Sequence, residues 1–129
     1  MSGKRYLLDT NAVAYLLRGG NSLQQHLESA DWVGIPILSQ IEFLAFPNLS
    51  ENDRRILQEF SDAIEVVGLG RTERALIDRI VSWRAQYRLK LPDAIIAATA
   101  VERDATLITD DRQMRKISAI RSSGTSPPE

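Results

Sequence analysis

Apolar residues along this 129-residue chain alternate between short unbroken runs and stretches where they recur every three or four positions. "RYLLD", "WVGIPI", "IEVVGL" and "ATLIT" are runs bounded by polar or turn residues and predict buried strands, with Pro36 marking the end of the second. Between them lie helical spacings. Asn11 to Arg18 carries Val13, Leu16 and Leu17 and stops at Gly19-Gly20. Asn21 caps a second short helix with Leu23 and Leu27. Ser39 opens "SQIEFLAF", closed by Pro47, and Ser50 opens another helix with Ile56, Leu57 and Phe60 on one face. Over residues 71 to 88, Leu76, Ile80, Trp83 and Tyr87 fall at i, i+4, i+7 and i+11. Pro92 begins "PDAIIAATAVER", apolar nearly all round and therefore buried. Ile117 and Ile120 fit a weak fifth strand.

Strands separated by helices predict βαβ units and a three-layer α/β/α fold around a parallel sheet of four to five strands. The expected domain spans residues 1–121. "RSSGTSPPE" leaves residues 122–129 as a polar tail expected to be disordered. In open parallel sheets ligands bind beyond the carboxyl ends of the strands, so chemistry is sought there.

Composition narrows that chemistry. With 43% hydrophobic and 26% charged residues and a formal net charge of −1, bulk charge neither demands nor excludes a nucleic-acid partner. No cysteine is present, which removes disulfides and thiolate metal sites and fits a reducing cytoplasm. His26 is the sole histidine, so neither a two-imidazole mechanism nor a His-rich zinc site is available. No export signal stands at the N-terminus, and the longest apolar-rich run, Ala94 to Val101, is too short to span a bilayer. Arg71, Arg74, Arg79, Arg84, Arg88 and Lys90 crowd one stretch; Arg112, Arg115 and Lys116 crowd another. Solvated helix faces account for both.

The acids are the informative residues. Asp9 follows the first strand and can cap the next helix. Glu42 lies three residues after Ser39, the spacing of a capping box, which taken alone is the better account of it. Asp93 sits in the first turn of the Ala-rich helix, where the dipole favours an acid. Asp110 and Asp111 follow the fourth strand in a turn. Each has an ordinary structural explanation. Together they stand after strands or at helix starts, places that a parallel sheet gathers along one edge. Four carboxylates there would repel one another unless a cation sat among them. An oxygen-only donor set suits Mg²⁺ or Mn²⁺ and points to metal-assisted hydrolysis, most naturally of a phosphodiester.

"LLDTN", Glu42 in "SQIEFL", "LPDAIIAATA" and "LITDD" together resemble the PIN domain, and among PIN domains the VapC-type toxins of toxin–antitoxin pairs. The resemblance covers residues 5 to about 120, and the Asp that opens an Ala-rich helix after Leu-Pro is its most specific part. It implies a PIN-like fold and a metal-dependent endoribonuclease acting on RNA, active as a homodimer and held in check by a small antitoxin. By position, Asp9, Glu42, Asp93 and Asp111 match the family's acids, with Mg²⁺, or Mn²⁺ as the alternative, held among them. Asp110 stands where relatives often carry a basic or polar residue and could add charge or substitute. Asn11 and Thr109 match supporting polar residues. Phe46-Pro47 replace a small residue, and Met114 replaces an aromatic. The arginine clusters gain a second reading as phosphate contacts. No run of aromatics suggests base stacking.

Three other readings match the residues less well. A receiver domain needs an acid pair after strand one and an Asp after strand three, and "IEVVGLG" ends without one. A haloacid-dehalogenase-like phosphohydrolase needs D-x-D, and Asn11 removes the second acid. A PIN fold that binds RNA without cutting it fits poorly with a full set of acids.

Overall fold

In the computed structural model, residues 4–68 and 74–126 are described. Strands β1 (Arg5–Leu8), β2 (Trp32–Pro36), β3 (Glu65–Val67), β4 (Thr106–Ile108) and β5 (Ser122–Ser123) form one sheet, every pairing parallel. Helices α1 (Thr10–Leu17) and α2 (Asn21–Glu28) join β1 to β2, and α3 (Ile37–Leu44) and α4 (Glu51–Ala63) join β2 to β3. Helices α5 (Arg74–Gln86) and α6 (Leu91–Glu102) precede β4, and the single turn α7 (Arg112–Arg115) precedes β5.

The sheet order is β3-β2-β1-β4-β5. The chain builds outward from β1 through β2 to β3, then returns to lay β4 on the other side of β1. The carboxyl ends of β1 and β4 therefore flank the point where the winding reverses, which is where such sheets open a crevice.

Alternation along the strands splits the core in two. Leu7 and Leu107 face one layer with Leu76, Ile80, Ile96 and Met114. Tyr6, Leu8 and Ile108 face the other with Val13, Leu23, Phe43 and Leu57. Leu7 and Leu8 are fully buried on opposite faces of one strand. Truncating either to Ala is expected to cost about 2–5 kcal/mol. Helix α6 buries Ala94, Ile96, Ala97, Ala98 and Ala100, and its small side chains let it lie close under α5. Among the described residues, no helix is long and apolar enough to cross a membrane.

Several local expectations change. Pro36, with its fixed φ and no N–H to donate, ends β2 and starts α3 at Ile37. Ser39 is thus a buried residue inside α3, not its cap, and Glu42 is not half of a capping box. The capping box in this region is instead Ser50 with Asp53, at the start of α4. Gly20, not Asn21, occupies the cap of α2, and Asn21 is its first residue. The long basic helix is described from Arg74; residues 71 to 73, and with them Arg71, lie outside the described residues.

Ile117 and Ile120 are buried in the turns after α7 rather than in a strand. The fifth strand is Ser122–Ser123, inside the segment expected to be a disordered tail. Its order needs no apolar side chain, because the backbone supplies the pairing. The N–H of Leu107 donates to Arg121 O and that of Thr109 to Ser123 O, both at 2.8 Å. Thr125 is buried beyond it. Residues 127–129 lie outside the described residues.

Candidate active site

Asp9, the residue after β1, caps α1: the N–H of Ala12 donates to its Oδ1 at 2.8 Å. One turn of helix is thereby fixed, and the carboxylate is pinned at the mouth of the sheet. Thr10, the first residue of α1, reaches across to α3 and donates from Oγ1 to Glu42 Oε1 at 2.6 Å. Asp93 stands in the first turn of α6, behind Pro92. Asp111 caps α7, accepting at Oδ1 from the N–H groups of Gln113 at 2.8 Å and Met114 at 3.1 Å.

These residues come from separate elements and line one pocket of about 190 Å³: Asp9, Thr10, Asn11, Glu42, Phe46, Asp93, Ile96 and Asp111. All four acids expected at the sheet edge are in it. Asp9 and Asp111 each give one oxygen to a helix cap and still border the pocket, so capping does not withdraw them from it. Thr109, fully buried, ties the group together. Its Oγ1 accepts from the Asp111 N–H at 3.1 Å, and its side chain also hydrogen-bonds Asp9. Asn11 borders the pocket from the exposed side of α1.

Asp110 departs from expectation. It does not line the pocket. Its carboxylate turns to the end of β5, accepting from Thr125 N–H at 2.9 Å and from Thr125 Oγ1 at 2.5 Å. Those bonds hold its pKa below the ordinary carboxylate value, with Arg115 adding in the same sense. Its contribution to the site is its charge, felt at Asp9.

Asp9 and Asp93 are shifted the other way. Burial pushes the Asp9 carboxyl up, against the hydrogen bonds from Thr109 and Ala12, and the charges of Asp110 and Asp111 push in the same direction as burial. Burial also raises Asp93, followed by the charges of Asp111 and Glu42, with Lys90 opposing. Among the described residues, the ion pairs are Arg55–Glu59, Arg103–Glu65 and Arg121–Asp104, and none involves a pocket acid.

The donor set tests the fit of a metal. It is carboxylate oxygen throughout, with no His or Cys, which is the chemistry of a hard divalent cation. Among the described residues, no three acids are already drawn together around one ion. It is the chemistry of the donors that carries the fit: Mg²⁺ takes oxygen ligands, keeps several waters and is held by one or two carboxylates plus substrate phosphate. The residues fit.

Thr10, Phe46 and Ile96 line the pocket without having been singled out as site residues. Thr10 carried a signal, since a hydroxyl directly after the Asp9 cap starts the helix that crosses α3. Ile96 carried none, because an apolar residue in an apolar helix looks like core. His26 packs against the Tyr6 ring, centroids 4.8 Å apart, and is not among the pocket residues. Arg79 stacks over Trp83 at 5.7 Å, while Arg74, Arg84 and Arg88 are exposed.

A parallel α/β domain with an acid-lined pocket at the ends of β1 and β4 is an architecture that can support hydrolysis assisted by a divalent cation. The chain belongs to the PIN domain family, whose model matches residues 6–120. Members of that family are nucleases that generally require a divalent metal. No curated protein sequence matches the chain. Among solved structures it is similar to a toxin–antitoxin complex from Klebsiella pneumoniae, at 25% identity and TM-score 0.76, covering 95% of this chain and 99% of that one. It also shares its fold with VapBC2 from Rickettsia felis bound to a promoter DNA fragment, at 19% identity and TM-score 0.77, covering 93% and 98%. DNA-bound VapBC from Salmonella typhimurium is similar at 18% identity and TM-score 0.75, covering 95% and 98%.

Proposed function

We propose that this PIN domain is a divalent-metal-dependent endoribonuclease, using Mg²⁺ or Mn²⁺, and the toxin of a VapBC-type pair. The observation that carries the reading is the gathering of Asp9, Glu42, Asp93 and Asp111 on one pocket, with no Lys or Arg paired to them among the described residues. Asp9, Asp93 and Asp111 hold the cation. When bound, it acidifies water and offsets charge on the phosphoryl oxygens. Thr10 fixes Glu42 through Oε1. Glu42 then orients water and accepts a proton in the attack on phosphorus. Lys90, close enough to bias Asp93, offers a counter-charge for the phosphate backbone.

Partners follow from the same reading. The similarity to a chain of a toxin–antitoxin complex supports a cognate antitoxin. An open groove of about 460 Å³, lined by Leu16, Leu17, Leu27, Val33, Phe60 and Ile64 among others, suits the apolar face of a helix. Ile37 and Ile41 on α3, and Ile77 and Val81 on α5, are exposed one turn apart and support self-association as a homodimer. RNA as substrate puts the site of action in the cytoplasm.

The deciding experiment incubates the purified protein with single-stranded and structured RNAs, with EDTA, Mg²⁺ or Mn²⁺. Cleavage that needs the metal and is lost in Asp93→Asn is expected. Cleavage surviving thorough metal removal, or full activity of Asp93→Asn, overturns the reading.

A further inference from the structure

Helix α1 leaves the acid pocket with an unusual outward ridge. Its buried face is Ala12, Val13 and Ala14. Asn11, Tyr15 and Arg18, at i, i+4 and i+7, line up on the other side. All three are exposed. Together with Ala14, Gly19 and Gly20 they line a shallow depression of about 330 Å³. Asn11 also lines the acid pocket, so the two depressions meet at that residue. From Asn11 to Arg18 the ridge runs about 10 Å along the helix axis.

We propose that this ridge is the subsite for the RNA nucleotide next to the bond that is cut, with Tyr15 stacking its base and Arg18 taking its phosphate. The inference rests on the endoribonuclease reading and extends it to a substrate-binding surface. Three observations favour RNA as the occupant.

First, Tyr15 is 39% exposed, and its ring is backed by Gly20. A Cβ on Gly20 would lie 2.4 and 2.6 Å from two of its ring carbons, so the ring rests on a position only glycine leaves open. Gly20 itself has φ −69°, which any residue adopts, so the absent side chain matters through the ring and not through the backbone. An aromatic face backed in this way stacks a base at little entropic cost. Second, Arg18 is exposed and takes part in none of the ion pairs among the described residues. A polyanion approaching four carboxylates needs positive charge beside them, and Arg18 supplies it along the exit path. Third, the ridge is continuous with the acid pocket, which places whatever it binds within reach of the chemistry.

The test uses Tyr15→Leu, Tyr15→Phe, Gly20→Ala and Arg18→Gln in the full chain, each checked for a wild-type melting curve. Binding of a short labelled single-stranded RNA is measured in EDTA across a salt series, and cleavage kinetics in Mn²⁺. Tyr15→Leu should weaken binding about tenfold, the loss of one stacked base, and the loss should fall on KM far more than on kcat. Tyr15→Phe keeps the ring and should retain affinity. Gly20→Ala should weaken binding like Tyr15→Leu, because the new methyl displaces the ring. Arg18→Gln should lower the slope of log affinity against log salt by about 0.7. Wild type that cuts RNA with all four variants unchanged in affinity and slope overturns the subsite and leaves the nuclease reading intact. So do variants that lose antitoxin capture while binding RNA normally, which would make the ridge a protein-docking surface. Wild type that neither binds nor cuts RNA overturns both.

Discussion

Asp110 and Asp111 are adjacent at the end of β4 and lie in opposite surroundings. Thr125 presents Asp110 with an N–H and a hydroxyl, and its pKa is lowered. One residue on, Asp111 gives one oxygen to the α7 cap and borders a pocket shared with Asp9, Glu42 and Asp93. Two of those companions, Asp9 and Asp93, are raised by burial and by neighbouring negative charge. A carboxylate whose donors are built into the fold is a structural part. A carboxylate gathered with others in a half-buried pocket, without a paired cation among the described residues, is energetically incomplete. The Thr125 latch and the acid pocket therefore do different work with the same residue type, and the difference predicts how each responds to mutation, metal and pH.

The largest effect should come from the pocket. Asp93→Asn keeps the shape and removes one of the acids proposed to hold the cation. Loss of an outer-shell partner of a metal ligand costs about 10–100-fold, so loss of the ligand itself should exceed about 100-fold in cleavage rate. Asp110→Asn should leave cleavage within a few-fold of wild type. Initial rates on one RNA substrate in Mn²⁺ check the pair. A severe loss in Asp110→Asn, with Asp93→Asn active, would reverse the assignment of latch and site.

Next is metal-linked stability. A ligand that binds only the folded state at a hundredfold excess over its dissociation constant adds about 2.7 kcal/mol. Wild type and Asp110→Asn should both gain on that order from Mn²⁺, and Asp9→Asn much less. Asn is a comparable helix cap, so Asp9→Asn should melt no lower than wild type in EDTA. Equal gains for Asp9→Asn and wild type would remove Asp9 from the metal site.

The latch itself predicts a smaller change. Thr125→Val removes the hydroxyl bond to Asp110, and Asp110→Asn weakens both bonds by removing the charge, while the backbone pairing of β4 with β5 stays. Because Asp110 is exposed, each should cost only about 1 kcal/mol, without altering the Mn²⁺ gain. The double variant should cost little more than either single one, which chemical denaturation of the four proteins measures.

How the sequence announced these two regions explains what it concealed. Asp9, Asp93 and Asp111 were legible as a group because strand ends and helix starts are local features, and a parallel sheet carries them to one edge; Glu42 joins them from inside α3. The roles of Asp110 and Glu42 were not. What separates Asp110 from its neighbour is Thr125, a residue beyond a strand whose side chains, Ser122 and Ser123, carry no hydrophobic signal. Glu42 had the spacing of a capping box, but Pro36 starts α3 earlier and the hydroxyl that meets Glu42 belongs to Thr10 on another helix. Tyr15 was equally hidden. No aromatic run surrounds it, and only helical spacing from Asn11 brings it beside the pocket.

The smallest effect is the pH dependence of the metal-free protein, where the two regions should differ in sign. Asp9 and Asp93 have folded pKa values raised above the ordinary Asp value. Each therefore binds its proton more tightly in the folded state. The stability this provides is fully present below the unfolded pKa, about 3.9, and is lost as pH rises through the raised folded value. Asp110 is lowered, so its contribution is present above about pH 3.9 and is lost as pH falls through its folded value. Differences between proteins isolate these groups from the other acids. In EDTA, wild type should gain stability relative to Asp93→Asn as pH is lowered from 7 toward 4, because only wild type can take up a proton at Asp93. Over the same interval the difference between wild type and Asp110→Asn should change far less, by only the part of the Asp9 shift that the Asp110 charge supplies, and the stability Asp110 itself provides is lost only at lower pH. Saturating Mn²⁺ should invert the first trend, since protons then compete with the cation for the same oxygens. Parallel melting curves for wild type and Asp93→Asn across that interval in EDTA would show that Asp93 carries no excess charge repulsion, and the contrast between pocket and latch would then rest on hydrogen bonds alone.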